Sequence, residues 1–217
     1  MRLTDPELRV LGSLIEKEFT TPEYYPLTFN GLRTACNQSS NRDPVVDYSD
    51  DTVRDAVTSL REKGLVKQVR IPGQRSEKVR HSVTDHLPVS APQTALLGVL
   101  VLRGPQTVGE LRQRTERYVT FDSLVAVEEE LTQMTGFDDP IVRRLERRPG
   151  QKEARYMHLL GIADGIAPEA ESTVREKTEV KPEPTSVAAD APSVADLARQ
   201  LEELRAEVAW LRTRIES

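Results

Sequence analysis

Cysteine is nearly absent from this chain of 217 residues: Cys36 is its only one. No internal disulfide can form, and a reducing compartment is expected. Histidine is almost as scarce. His81, His86 and His158 are the three present, and none has a carboxylate or cysteine at metal-ligand spacing. There is no phosphate-binding loop, no dinucleotide fingerprint and no Gly-x-Ser-x-Gly elbow. Cys36 falls on an apolar helix face with Phe29 and Leu32, where a nucleophile would lack the exposed, electropositive setting it needs. These absences predict a protein that is not an enzyme, with no catalytic residue, cofactor or metal. Long apolar runs are missing too, since none approaches the roughly 18 residues of a membrane span. Met1-Arg2-Leu3-Thr4-Asp5 leads directly into a charged helix rather than an apolar leader. A cytoplasmic chain with no membrane partner is expected.

What is present is a stretch that occurs twice. Ser49 to Val83 reads as a helix followed by a β-hairpin. Val53, Ala56, Val57 and Leu60 share one helix face, Ser49 or Asp50 caps the start, and Gly64 closes the end. Residues 65–69 and 78–83 are strand-like and joined through Pro72-Gly73-Gln74-Arg75. In the second copy, Leu124, Val127, Leu131 and Met134 mark the helix. Residues 141–145 and 155–159 mark the hairpin, which turns on Pro149-Gly150-Gln151-Lys152. Upstream, the Pro, Thr, Leu and Arg of PLTFNGLR recur in register in PQTVGELR, and Leu11-Gly12 recurs as Leu97-Gly98. Three matches in the same order imply two copies of a module of roughly 80 residues.

A helix running into a twisted hairpin with a basic tip is the second half of a winged helix. The fold class expected is therefore mainly α with small β-hairpins (α+β), built as two tandem winged-helix modules over residues 1–87 and 88–160. In the first module, helices are expected from Leu3 to about residue 19 and from Leu27 to about Gln38. In the second, the nearly all-apolar helix from Gln93 to Leu102 is expected to be buried on more than one side, at the junction between modules. Thr107 should cap a further helix reaching about Arg117.

Beyond Gly161 the apolar periodicity stops. Residues 161–192, punctuated by Pro168, Pro182, Pro184 and Pro192, are expected to form a flexible linker. Residues 193–217 regain a pattern: Val194, Leu197, Leu201, Leu204, Val208, Leu211 and Ile215 step by alternating threes and fours. β-Branched residues at a and leucine at d favour a parallel two-stranded coiled coil. Self-association through this C-terminal helix is expected, against the alternative of a helix packed on its own modules or on another protein.

The motifs EKE, TTPEYYPL, ACNQSSNRDPV and the later GQR turn resemble the YceH-like family of bacterial proteins, from Leu3 through about Leu160. The resemblance implies a tandem winged-helix fold. It brings no catalytic residues, because that family is uncharacterised.

The net charge of −5 is unevenly placed. Basic and acidic residues balance at 13 each in residues 1–87 and 10 each in 88–160, so the tail, with 7 against 12, carries the excess. Within the balanced modules the hairpins are basic. The first holds Lys67, Arg70, Arg75, Lys78 and Arg80, and the second holds Arg143, Arg144, Arg147, Arg148, Lys152 and Arg155. Two readings of function follow. In the first, both wings hold the phosphates of double-stranded DNA while the helix over 50–63 enters the major groove. Thr52 and Arg54 then face the bases, and Arg42, in the polar run Asn37-Gln38-Ser39-Ser40-Asn41-Arg42, reaches phosphate. A self-bonded polar turn is the plainer reading of that run. Asp50, Asp51 and Asp55 weigh against groove entry. The second reading is a protein-interaction scaffold without DNA contact, by analogy of fold alone with the chromosome-segregation protein ScpB. For self-association the expected outcome is direct: the full chain sediments as a dimer, and a chain ending at Gly161 as a monomer.

Overall fold

The computed structural model describes residues 2–70, 72–73, 76–147 and 150–161. The linker and heptad segment, including Val194 to Ile215, lie outside the described residues, as do Arg75 and Arg148. Among the described residues the protein is mainly helical, with two small antiparallel sheets.

The first repeat opens with α1 (Asp5–Thr20). Thr4 accepts from the Glu7 amide while Glu7 reaches back to the Thr4 amide at 2.7 Å, a reciprocal cap that fixes the helix start. Leu27 was expected to open the second helix. Instead Leu27 and Thr28 form a short strand, β1, and α2 runs over Phe29–Cys36 under a Thr28 cap. Helix α3 (Asp50–Glu62) is capped by Ser49 and buries Val53, Ala56, Val57 and Leu60 as the periodicity predicts. Gly64 closes it at φ 77°, and a Cβ there would also lie 2.6 Å from the His86 ring, so both backbone and space demand glycine. Strands β2 (Val66–Val69) and β3 (Lys78–His81) pair in register, Val66 opposite His81 and Gln68 opposite Val79. β1 joins the far side of β3, Leu27 opposite Val79. The strand expected to reach Val83 stops at His81, because Val83 begins a single helical turn, α4 (Val83–His86).

The second repeat follows the same order. Helix α5 (Ala91–Arg103) starts with a Ser90–Gln93 reciprocal cap. Helix α6 (Val108–Thr115), shorter than expected, starts with the same device built from Thr107 and Glu110. Helix α7 (Leu124–Thr135) buries Val127, Leu131 and Met134. Leu124, expected inward with them, is half exposed because the helix begins at that residue, at the rim of the core. Strands β4 (Val142–Arg144) and β5 (Tyr156–His158) form the second hairpin. Gln106 bridges Tyr156, exchanging backbone hydrogen bonds of 3.0 and 2.7 Å, where Leu27 bridges Val79 in the first repeat. The paired turns also match: Gly73 and Gly150 take φ 81° and 85°.

Helices α1 and α5 are the centre of the molecule. Each buries ten consecutive residues, Glu7–Glu16 and Gln93–Leu102. The one-sided pattern of α1 predicts a single buried face, but α5 covers the other. Their crossing uses the repeated glycines reciprocally. A Cβ on Gly12 would lie 3.0 Å from Val101 and 2.8 Å from Leu102, and a Cβ on Gly98 would lie 2.7 Å from Ile15. Glycine at both positions lets the backbones approach closely, so the flanking Leu11, Leu14, Leu97 and Leu100 are wholly buried. The chain start is pinned to the second hairpin, where the Leu3 amide donates to the Leu160 carbonyl at 2.7 Å. The repeats thus fall within one compact unit, Met1–Glu169. A methyl group at the crossing overpacks it: Gly98→Ala is expected to lower unfolding free energy by about 1–3 kcal/mol in urea titrations. Gly109→Ala, where the nearest contact is 3.9 Å away, should not lower it and should raise it by up to about 1 kcal/mol through helix propensity. A Gly98→Ala variant as stable as the parent would show that the crossing tolerates a side chain.

Candidate nucleic-acid interface

The expected contact residues divide sharply once their surroundings are seen. On the first hairpin, the Lys67 ammonium lies 2.6 Å from the Asp85 carboxylate, and it holds that carboxyl below its ordinary range. Arg70 donates through Nε and Nη2 to one oxygen of Glu77, at 2.9 and 2.7 Å. Lys78 and Arg80 are half-buried and form no ion pair among the described residues. On α3, Thr52 is half-buried and bonded to the Ser49 hydroxyl at 2.9 Å, while exposed Arg54 lies over the Phe29 ring at 4.4 Å. Arg33 pairs with Asp50 at 3.1 Å, and Arg61 donates to Gln68 at 2.7 Å. The first hairpin and helix therefore carry charge of both signs, with Lys67, Arg70 and Asp50 each matched to an opposite charge.

Arg42 does not face solvent. Its side chain is wholly buried, and it donates to Glu16 at 2.5 Å, to the Ala35 carbonyl at 2.8 Å and to Gln38 at 3.1 Å. A phosphate cannot reach it. The polar run around it laces the repeats together. Arg9 donates to the carbonyls of Cys36 and Pro44, the Asp43 amide donates to Leu102 at 2.9 Å, and Arg103 donates to Asn41 at 2.5 Å. Asn37 holds its own loop by accepting from the Tyr48 amide at 2.8 Å. The self-bonded turn is thus part of the account, extended by contacts to α1 and α5. Cys36 is buried beneath this loop, and burial pushes its thiol up to about 11, so it stays protonated at neutral pH.

His81, on β3 of the first hairpin, is buried, with Nε2 2.6 Å from Glu18. Burial pushes the His158 imidazole down to about 4, which keeps it neutral near pH 7 and useless as a phosphate-binding cation. No three His, Cys, Asp or Glu side chains among the described residues are grouped to hold a metal. No helix among the described residues is long and apolar enough to cross a membrane.

The second hairpin differs from the first. Arg143, Arg144, Arg147 and Lys152 are exposed, and none is paired with a described carboxylate. Arg143 and Arg144 are neighbours in β4 and so serve opposite faces of the ribbon. Arg155 is the exception, donating to Glu110 at 2.8 Å and to the Pro105 carbonyl at 2.9 Å, which ties β5 to the start of α6. Beside this hairpin, α7 presents exposed Leu124 and Val125 together with Glu128 and Glu129. Those two apolar residues were not foreseen as a surface feature, although Leu124-Val125 directly after the helix cap is the signal that marks them.

Fold and site together define a class: a mainly helical protein of two repeated helix-and-hairpin units, one of which carries exposed arginines with no carboxylate partner among the described residues. The chain belongs to the DUF480 family, described as proteins of unknown function, whose profile matches residues 3–151. This is the YceH-like family that the sequence motifs indicated. A UPF0502 protein of Geobacter metallireducens is 51% identical over 169 residues, 78% of this chain and 75% of the relative. UPF0502 proteins of Pelobacter propionicus and Mesorhizobium japonicum are 44% and 41% identical, over 98% and 99% of this chain and 94% and 95% of theirs. The last two likenesses extend well past Gly161, where the motif resemblance stopped.

Removing Arg42 strips buried Glu16 of its closest charged partner, leaving the Tyr118 hydroxyl at 3.3 Å and the Lys17 ammonium at 3.9 Å. Arg42→Ala is expected to cost about 3–5 kcal/mol in urea unfolding, with part recovered in the Arg42→Ala/Glu16→Ala double variant. A loss within 0.5 kcal/mol, about what an ordinary surface substitution costs, would contradict the buried pairing.

Proposed function

We propose that this is a non-enzymatic tandem winged-helix protein that binds double-stranded DNA chiefly through its second wing. The observation that carries the reading is the set of exposed cations Arg143, Arg144, Arg147 and Lys152 on one hairpin, none with a carboxylate partner among the described residues. Phosphate binding draws most of its free energy from such charges, through release of condensed counterions. The first wing contributes less, because Asp85 and Glu77 already neutralise Lys67 and Arg70. Helix α3 is a weak base reader. Its entry carries Asp50 and Asp51, and Arg54 rests on Phe29. Recognition is therefore of the backbone, with little sequence preference. The order of three helices and a hairpin in each repeat, with Gln106 or Leu27 adding a third strand position, supports the winged-helix assignment. Self-association through residues 193–217 would double the number of wings available to one duplex.

A second reading is favoured by a different observation. The face of α7 that would enter a groove is apolar and acidic, with Leu124, Val125, Glu128 and Glu129 exposed. Such a surface repels phosphate and suits a protein partner, in the manner of the scaffold alternative.

Fluorescence anisotropy with a mixed-sequence duplex at several salt concentrations separates the two. Under the DNA reading, the full chain binds with micromolar affinity that falls steeply with salt. Reversing Arg143, Arg144 and Arg147 to glutamate then lowers affinity by at least about tenfold and reduces the log–log salt slope by about 2–3. No binding at low salt would discard the DNA reading and leave the α7 face as the site to pursue.

A further inference from the structure

A cleft of about 320 Å³ opens where the loop after α2 meets α5 and α6. Three guanidinium groups line it, from Arg103 at the end of α5, Arg114 in the last turn of α6, and Arg117 just beyond. The amide side chains of Asn41 and Gln113 add neutral polar groups, while Val99, Leu102 and Tyr118 form an apolar wall. We propose that this cleft binds a small phosphomonoester, its phosphate held by Arg103, Arg114 and Arg117 and its organic part lying on Val99, Leu102 and Tyr118.

The nearby carboxylates neutralise these arginines only in part, through the i,i+4 ion pair of Arg114 with Glu110. Glu16 is engaged by Arg42 at 2.5 Å and accepts from the Tyr118 hydroxyl at 3.3 Å. Glu110 stands 3.7 Å from Arg114, but it is held closer, at 2.8 Å, by Arg155 and also accepts from the Thr107 amide at 2.9 Å. Arg117 pairs with no described residue. Burial first, and then the charge of Arg114, lower the proton affinity of Arg103, an effect only partly opposed by Tyr118 and Glu16. An anion in the cleft relieves that repulsion.

The site is also prearranged. Arg103 is held by its hydrogen bond to Asn41, at 2.5 Å. A guanidinium has five donors, so Arg103 keeps others for a ligand, and planar guanidinium groups match phosphate oxygens in pairs. Tyr118 is fixed by stacking on Phe19, the ring centroids 5.8 Å apart and the planes 7° from parallel. The volume lies at the lower end of the roughly 300–1,000 Å³ of small-molecule pockets. A monoester dianion fits this charge better than the single charge of an internal nucleic-acid phosphate, and the cleft shares no residue with the second hairpin. The inference therefore stands apart from the DNA reading.

The test is calorimetric titration of the full chain at low salt with adenosine 5′-monophosphate, and with a short DNA duplex in parallel. The expected result is one saturable site per chain for the nucleotide, weakened at least about tenfold in Arg114→Gln and in Arg117→Gln. Arg144→Gln/Arg147→Gln should leave nucleotide binding unchanged. Arg117 is exposed and bonded to no described residue, so its variant should melt like the parent protein. Absence of saturable heat up to about 5 mM nucleotide, an affinity too weak to matter for a metabolite, would overturn the proposal. So would nucleotide binding that survives both cleft variants and falls with the hairpin variant. A duplex that loses affinity in Arg117→Gln while the nucleotide gives no heat would overturn it as well, by assigning the cleft to nucleic acid. Failure of the DNA reading alone would show as loss of the duplex signal with the nucleotide signal intact.

Discussion

The close crossing of α1 and α5 is the constraint on which everything else in the described residues rests. Each helix is enclosed along ten residues, and enclosure on that scale requires a partner on both sides. Glycine at 12 and at 98 removes the side chains that would hold the helices apart, and each glycine faces a branched residue of the other helix, Val101 and Ile15. Because the glycines occupy matching places in the two repeats, the contact has the reciprocity of a two-fold interface formed within one chain. The other helices and the hairpins pack around this pair, so the orientation of every surface group descends from it.

The second layer of the architecture is polar. The loop from Asn37 to Ser49 carries Arg42 into the protein, where Glu16 of α1 receives it, and sends Asn41 toward Arg103 of α5. Buried charges of this kind add little net stability, but removing one partner is costly because the other remains desolvated. Their effect here is to hold one arrangement of the two repeats. Arg9 and Arg42, held in this framework, and Arg155, held by Glu110 and Pro105, are unavailable to a ligand. What remains is asymmetric: a first hairpin with Lys67 and Arg70 paired to carboxylates, a second with exposed cations, and an arginine-lined cleft between loop and helix.

Much of the framework was legible in the chain. Apolar spacing located α3 and the buried residues of α7, cap residues located the helix starts, and the echo of Pro-Gly-Gln located both hairpins. The errors share a cause. Leu27 reads as helical because a two-residue strand is defined only by its distant partner, Val79. Arg42 reads as a group able to reach phosphate because Glu16, which receives it, lies 26 residues away. Leu124 reads as buried because periodicity gives a direction along a helix but not where its neighbours end.

Local chemistry thus determined the repeat, the longer helices and the hairpins, the turn glycines and the total charge of each segment, since these depend on patterns local to each stretch of chain. Tertiary structure alone decided which cations are free. Lys67, Arg70, Arg42 and Arg155 are each matched to a carboxylate at least seven residues away, whereas Arg143, Arg144 and Arg147 are matched to none among the described residues. Coulombic pairing depends on distance in space and on the local dielectric, and neither can be read from order along the chain.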